Sequence, residues 1–197
     1  MNKTALAFVV LIVLVAGAYL LYAPTAEAPA APTVSSETYA NEMYSISFSY
    51  PGTYVLEERE VGNGERYHYA IILMDKVAAA NIPQNGEGPP TINVDIFQNN
   101  LDNLTISEWI KNDSRSNFKL AFNGAFAPVS VGGYDALAYT WDGLYSGHSV
   151  VFEHGGNIVM LTVTYLSPDD AILSDFAGVM ASFEPLSSVE FYGGTEE

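Results

Sequence analysis

Residues 44–50 read Tyr-Ser-Ile-Ser-Phe-Ser-Tyr, and Pro51-Gly52 stops the run. A period of two is the mark of a β-strand, whose successive side chains point to opposite faces. A helix would scatter Tyr44, Ile46, Phe48 and Tyr50 around its axis, so the chain is committed here to a sheet with one buried face. Similar segments follow. "TYVLEEREV" (53–61) and "RYHYAIILM" (66–74) flank Asn63-Gly64, a hairpin turn signal. "TINVDIFQ" (91–98) sets Ile92, Val94 and Ile96 on one face. Further strands are predicted around 126–131, 134–142, 148–154 and 157–165, with Gly132-Gly133 and Gly155-Gly156 as tight turns. The segment 157–165 is apolar on both faces, which predicts a central strand covered on both sides.

Two helices interrupt this series. Thr105 and Glu108 form a T-x-x-E capping box, and Leu104 and Trp109 are spaced as its hydrophobic staple. The helix, roughly 106–115, is expected to dock through Ile106, Trp109 and Ile110. Near the end, Ser167 reads as an N-cap with Pro168 at N1, and Asp169 and Asp170 lie at the positive end of the dipole. Ile172, Leu173, Phe176, Val179, Met180 and Phe183 then fall on one stripe, and Glu184-Pro185 ends it. Residues 75–90 hold three prolines and two glycines, a loop long enough to be either functional or loosely ordered. Strands in succession, one helix midway and one at the end describe an α+β domain with a mainly antiparallel sheet.

Ahead of this domain, Thr4 to Tyr22 carry no charge. Nineteen residues span about 28 Å as a helix, close to the hydrocarbon thickness of a bilayer. Leu6, Phe8, Leu11, Ile12, Leu14 and Leu20 supply the apolar surface of the expected anchor. Lys3 flanks it on one side and acidic sequence on the other, so the positive-inside rule places the remainder outside the cytoplasm. A cleaved signal peptide is the alternative. Ala26-Glu27-Ala28 offers a cleavage site, although Pro29 behind it would hinder cleavage. Ala and Pro dominate residues 23–36, a semi-extended tether. The expected organisation is an anchor at 1–22, a linker at 23–36, a globular domain at 37–186 and an acidic, flexible tail at 187–197.

Charge and cysteine content narrow the partners. Seven Lys and Arg against 23 Asp and Glu leave a formal charge of −16, which opposes binding to a phosphate backbone. A solvated surface or a cationic partner fits it instead. The absence of cysteine removes disulfides, a thiol nucleophile, zinc–cysteine sites and a lipid-modified cysteine.

"YSISFSYPGTY" resembles the opening strand of PsbP-like domains, an aromatic-x-Ile-x-Phe-x-Tyr-Pro run ahead of a turn. "TISEWIKND", the Gly-Gly hairpin feeding "YDALAYTW", and "VMLTVTYLSPDDAILSDFAGVMASF" are similar to that family too, over about residues 40–185. The resemblance implies an α/β/α sandwich on an antiparallel sheet. It implies a non-enzymatic accessory or assembly role outside a membrane, since plant and cyanobacterial members serve photosystem II and help retain calcium and chloride. Many bacterial members are lipoproteins, whereas this chain has an apolar helix in place of a lipid-modified cysteine. The family offers no catalytic motif to transfer, and nothing in this chain points to photosynthesis.

The residues able to carry chemistry are few. Ser45, Ser47 and Ser49 share a strand face with no neighbouring His and no G-x-S-x-G elbow, so a solvated or edge face is expected. His148 and His154 share one strand face about 20 Å apart, too far for one metal, and His68 stands alone. "NNLDN" (99–103) and "SPDD" (167–170) carry oxygen ligands without calcium-loop spacing. Glu58 and Glu60 form a same-face carboxylate pair about 6.6 Å apart, and Asp135 with Asp142 is a second pairing. Trp141, Tyr145 and His148 flank a hairpin tip, a setting where amphipathic side chains bind partners, unless Trp141 packs back into the core. The expected protein is a membrane-anchored accessory module outside the cytoplasm. It binds an unidentified protein partner, without a cofactor or catalysis. A small-ligand or calcium-binding domain with 75–90 as lid is one alternative, and a cell-envelope hydrolase is another.

Overall fold

A computed structural model describes residues 35–62 and 67–186, all within one compact unit. The alternating segments pair into a seven-stranded sheet: β3 (Tyr54–Val61), β4 (His68–Asp75), β5 (Ile92–Gln98), β6 (Ala127–Val131), β7 (Tyr134–Asp142), β8 (Ser146–His154) and β9 (Asn157–Tyr165). Their order is β3-β4-β5-β9-β8-β7-β6, and every neighbouring pair is antiparallel. β9 is the middle strand, and Ile158 to Val163 are all buried, as its two apolar faces require.

The alternation at 44–50 belongs to a second, smaller sheet of β1 (Ser36–Asn41), β2 (Ile46–Pro51) and β10 (Glu184–Pro185), in the order β1-β2-β10. Here the structure departs from the sequence reading. The strand starts at Ile46, because Ser45 sits at φ 52° in a turn closed by its own N–H on the Glu42 carbonyl at 3.2 Å. β1 lies partly in the segment read as tether. Tyr39 is its one buried side chain, so pairing with β2 rather than an apolar pattern makes it a strand.

Two cores hold the layers together. On one face of the large sheet, Ile46, Phe48 and Tyr50 of β2 join Phe176, Val179 and Phe183 over Ile71, Ile92, Val94, Phe152 and Leu161. Phe176 and Val179 come from α3 (Ile172–Ser182), and Phe183 stacks on Phe48 with ring centroids 6.2 Å apart. On the other face, Trp109 and Ile110 of α2 (Ile106–Asn112) cover Phe97, Tyr139, Trp141, Val151, Ile158 and Met160. The arrangement is helix and small sheet, large sheet, helix.

The caps decide where the helices begin and end. Thr105 and Glu108 close the predicted capping box reciprocally. α2 stops at Asn112, and the expected last turn becomes a 3-10 turn in which the Asp113 carboxylate accepts the Arg115 N–H at 2.9 Å. α3 begins at Ile172 rather than after Ser167. The Asp170 carboxylate instead accepts the N–H groups of Leu166 and Ser167 at 2.8 and 2.9 Å, folding 166–170 into a turn ahead of the helix. A single turn, α1 (Lys76–Ala79), opens the long loop with Asp75 as its cap. The expected anchor, the Asn63-Gly64 turn and the tail from residue 187 lie outside the described residues. Among the described residues, no helix is long and apolar enough to cross a membrane.

Candidate functional site

The hairpin tip between β7 and β8 separates its three candidate residues. Gly147 lies opposite Trp141, and His148 opposite Thr140, so Trp141 and His148 project from opposite faces of the sheet. Trp141 is 9% exposed and donates its indole N–H to the Ser149 hydroxyl at 3.0 Å. Its ring occupies the space over Gly147, where any Cβ would overlap it. Tyr145 stays at the tip and donates its hydroxyl to the Gly88 carbonyl at 2.6 Å, tying the tip to the long loop.

His148 sits on the α3 side, edge-on to Phe176 with ring centroids 5.7 Å apart. Burial among these apolar groups pushes its imidazole below the usual histidine range. It lines two adjoining cavities, each about 290 Å³. One opens toward Asn123, Phe126 and Thr140. The other lies between β6 and α3, where Val129, Val131, Ala138, Val150 and Met180 make its walls apolar. A neutral imidazole there can donate or accept one hydrogen bond in otherwise apolar surroundings. The two cavities were not legible in sequence, since α3 and β6 meet only through the fold.

The other candidates are engaged in holding the fold. Glu58 accepts hydrogen bonds from the Tyr39 and Tyr69 hydroxyls at 2.6 and 2.5 Å, which hold its carboxyl below the usual range. A general acid in hydrolysis needs the opposite shift. Glu60 bonds Tyr67, which also bonds Tyr44. Both same-face carboxylates thus meet tyrosines. Sequence reading missed these phenols because they come from β1, the β1–β2 turn, β4 and the residue just before it. Asp135 and Asp142 are seven positions apart on β7 and project from opposite faces. His154 is bonded at both nitrogens, to the Tyr134 hydroxyl and the Tyr44 carbonyl, each at 2.8 Å. His68 meets the buried Asp95 carboxylate at 3.2 Å. Ser47 is 5% exposed and bonds Glu184 at 3.3 Å, while the Ser49 N–H donates to Ser182 at 2.9 Å. Of the three serines expected on a solvated or edge face, Ser47 is buried, Ser49 is half-buried and Ser45 is exposed in the turn before β2.

The oxygen-rich segments are likewise occupied. The Asn99 side chain bonds both the N–H and the carbonyl of Leu104, at 3.0 and 2.9 Å. Asp170 caps its own turn. Among the described residues no group of three or more His, Asp or Glu side chains is placed to hold a metal ion.

An antiparallel sheet with helices on both faces and a small three-stranded sheet on one of them is the PsbP-like fold. It matches the cyanobacterial PsbP (CyanoP) of Synechocystis sp. PCC 6803 with a TM-score of 0.50 and 13% identity, over 82% of this chain and 99% of that one. At that identity the likeness concerns the fold alone. A protein of Bacteroides thetaiotaomicron VPI-5482 matches with a TM-score of 0.45 and 15% identity, over 77% of this chain and 49% of that one. The Saccharomyces cerevisiae Ran-binding protein Mog1p matches with a TM-score of 0.44 and 8% identity, over 79% and 97%. These two are too distant to carry an argument. No protein-family model matches the chain, and no curated protein matches it at a significant level.

Proposed function

We propose that the chain is a membrane-anchored accessory module outside the cytoplasm, in which a PsbP-like domain holds a protein partner without catalysis or a cofactor. The observation that carries this reading is β6, which among the described residues ends the large sheet and pairs with β7 alone, beside the apolar cavity floored by His148. Ala127 to Ser130 are exposed along that edge. A free strand edge next to an apolar cavity suits an extended segment of another protein, added by backbone hydrogen bonds with a side chain in the cavity. The charge of −16 favours a segment flanked by basic residues. Glu58, His68 and His154, the groups a hydrolase would call on, are bonded within the domain.

The full chain, tagged and extracted from membranes in mild detergent, is expected to carry one partner in fixed ratio. Val129→Asp should release that partner, and added salt should weaken it. Recovery of the chain alone from both wild-type and low-salt preparations overturns the reading.

A further inference from the structure

Among the described residues, six of the ten exposed large apolar side chains lie at one end of the large sheet, while Met43, Val61 and Leu101 lie at the other. The register places Tyr54, Asp75, Tyr165, Ser146 and Asp142 at this end, and Val61, His68, Gln98, Asn157 and His154 at the other. Val77 and Ile82 follow β4 here, Leu144 lies at the β7–β8 tip, and Leu166 follows β9. Leu120 and Phe122 flank Ala121, which bridges Trp141 near the same end. Phe122 is 94% exposed, Val77 71%, Leu166 70% and Leu144 68%. They stand on four separate connections between strands and helices rather than in one patch, a pattern suited to a deformable surface more than to a single protein pocket.

The chain enters the domain at this end. The Ser35 carbonyl accepts the Gly52 N–H, just before Tyr54, and Ser36 pairs with Pro51. Residues 23–34, the twelve that precede Ser35, can span at most about 43 Å. Before them stands the uncharged run Thr4 to Tyr22.

Resting on the tether of the proposed function, we propose that this end of the domain is a bilayer-docking face, with Phe122 and Leu144 as its inserting tips. Tethering keeps the face at high local concentration against lipid, so weak insertion of several apolar tips suffices. Among the exposed charges at this end Glu87, Asp142 and Asp169 outnumber Lys76 and Lys119, which favours zwitterionic over anionic lipid.

The chain has no cysteine, so single thiols introduced at exposed sites report one position each. Phe122→Cys, Leu144→Cys and, at the opposite end, Leu101→Cys would be spin-labelled in the full chain and reconstituted into phosphatidylcholine vesicles. Collision with dissolved oxygen relative to a water-soluble nickel complex is expected to rise several-fold at 122 and 144 and to stay unchanged at 101. Replacing half of the lipid with phosphatidylglycerol should reduce that rise. Labels at 122 and 144 as water-exposed as at 101, in a chain that resists alkaline extraction, overturn this inference alone. Release of the chain by alkali overturns the tether and the docking face with it.

Discussion

At the scale of single residues, environment rather than residue type separates the histidines. His154 keeps both nitrogens bonded, and His68 lies against a carboxylate, whereas His148 faces Phe176 and apolar cavity walls. Desolvation holds the folded-state pKa of His148 below its unfolded value of 6.5. The unfolded chain therefore binds the proton more readily, and the stability associated with a neutral His148 is present above pH 6.5 and lost as pH falls below it. Urea midpoints taken at pH 7.5 and 5.5 should fall further for the wild type than for His148→Gln. Equal falls would mean the imidazole is not desolvated. Glu58 acts in a different window. Its carboxyl is lowered by two phenol hydrogen bonds, so its contribution is present above its usual value of 4.5 and is lost as pH falls through the lower folded value. The sequence placed Glu58 and Glu60 on one face correctly by period alone. Tyr39 is 19 positions from Glu58, and no local pattern announces that contact.

At the scale of elements, local chemistry was legible where both partners lie within one turn of chain. The partners of the Thr105–Glu108 box are three positions apart, and it is present as read. The start of α3 was misplaced because two local bonding choices compete at 166–170. Asp170 takes the N–H groups of Leu166 and Ser167, leaving the Ser167 hydroxyl with only a 3.4 Å contact to the Asp169 N–H. The two candidate caps should then respond differently. Thr105→Ala is expected to cost about 1 kcal/mol, a fall of about 2–4 °C in melting temperature for a chain of this size. Ser167→Ala should stay within about 0.5 kcal/mol of wild type. Thermal unfolding followed by circular dichroism compares them, and an equal loss would return the cap of α3 to Ser167. β1 was missed for the opposite reason: with one buried side chain in six, its strand character comes from its partner.

For the whole molecule, the testable link between sequence and place is the uncharged run before the domain. An Asp in the middle of a spanning helix costs about 2.5–3.5 kcal/mol of insertion free energy, so Val13→Asp should shift the chain from the alkali-resistant membrane fraction to the soluble one. Unchanged fractionation would remove the anchor. The sequence by itself determined the seven strands of the large sheet, the central place of 157–165 and the capped helix before the second half. These follow from side-chain period and from contacts a few residues apart, which a linear pattern records. Only the tertiary structure decided that 44–50 opens a separate small sheet and that Trp141 and His148 part to opposite faces. The same holds for the capture of Glu58 by tyrosines and for the apolar tips collected at the end where the chain enters. Each depends on which strands become neighbours, and burial free energy selects that pairing over the whole core rather than at any one segment.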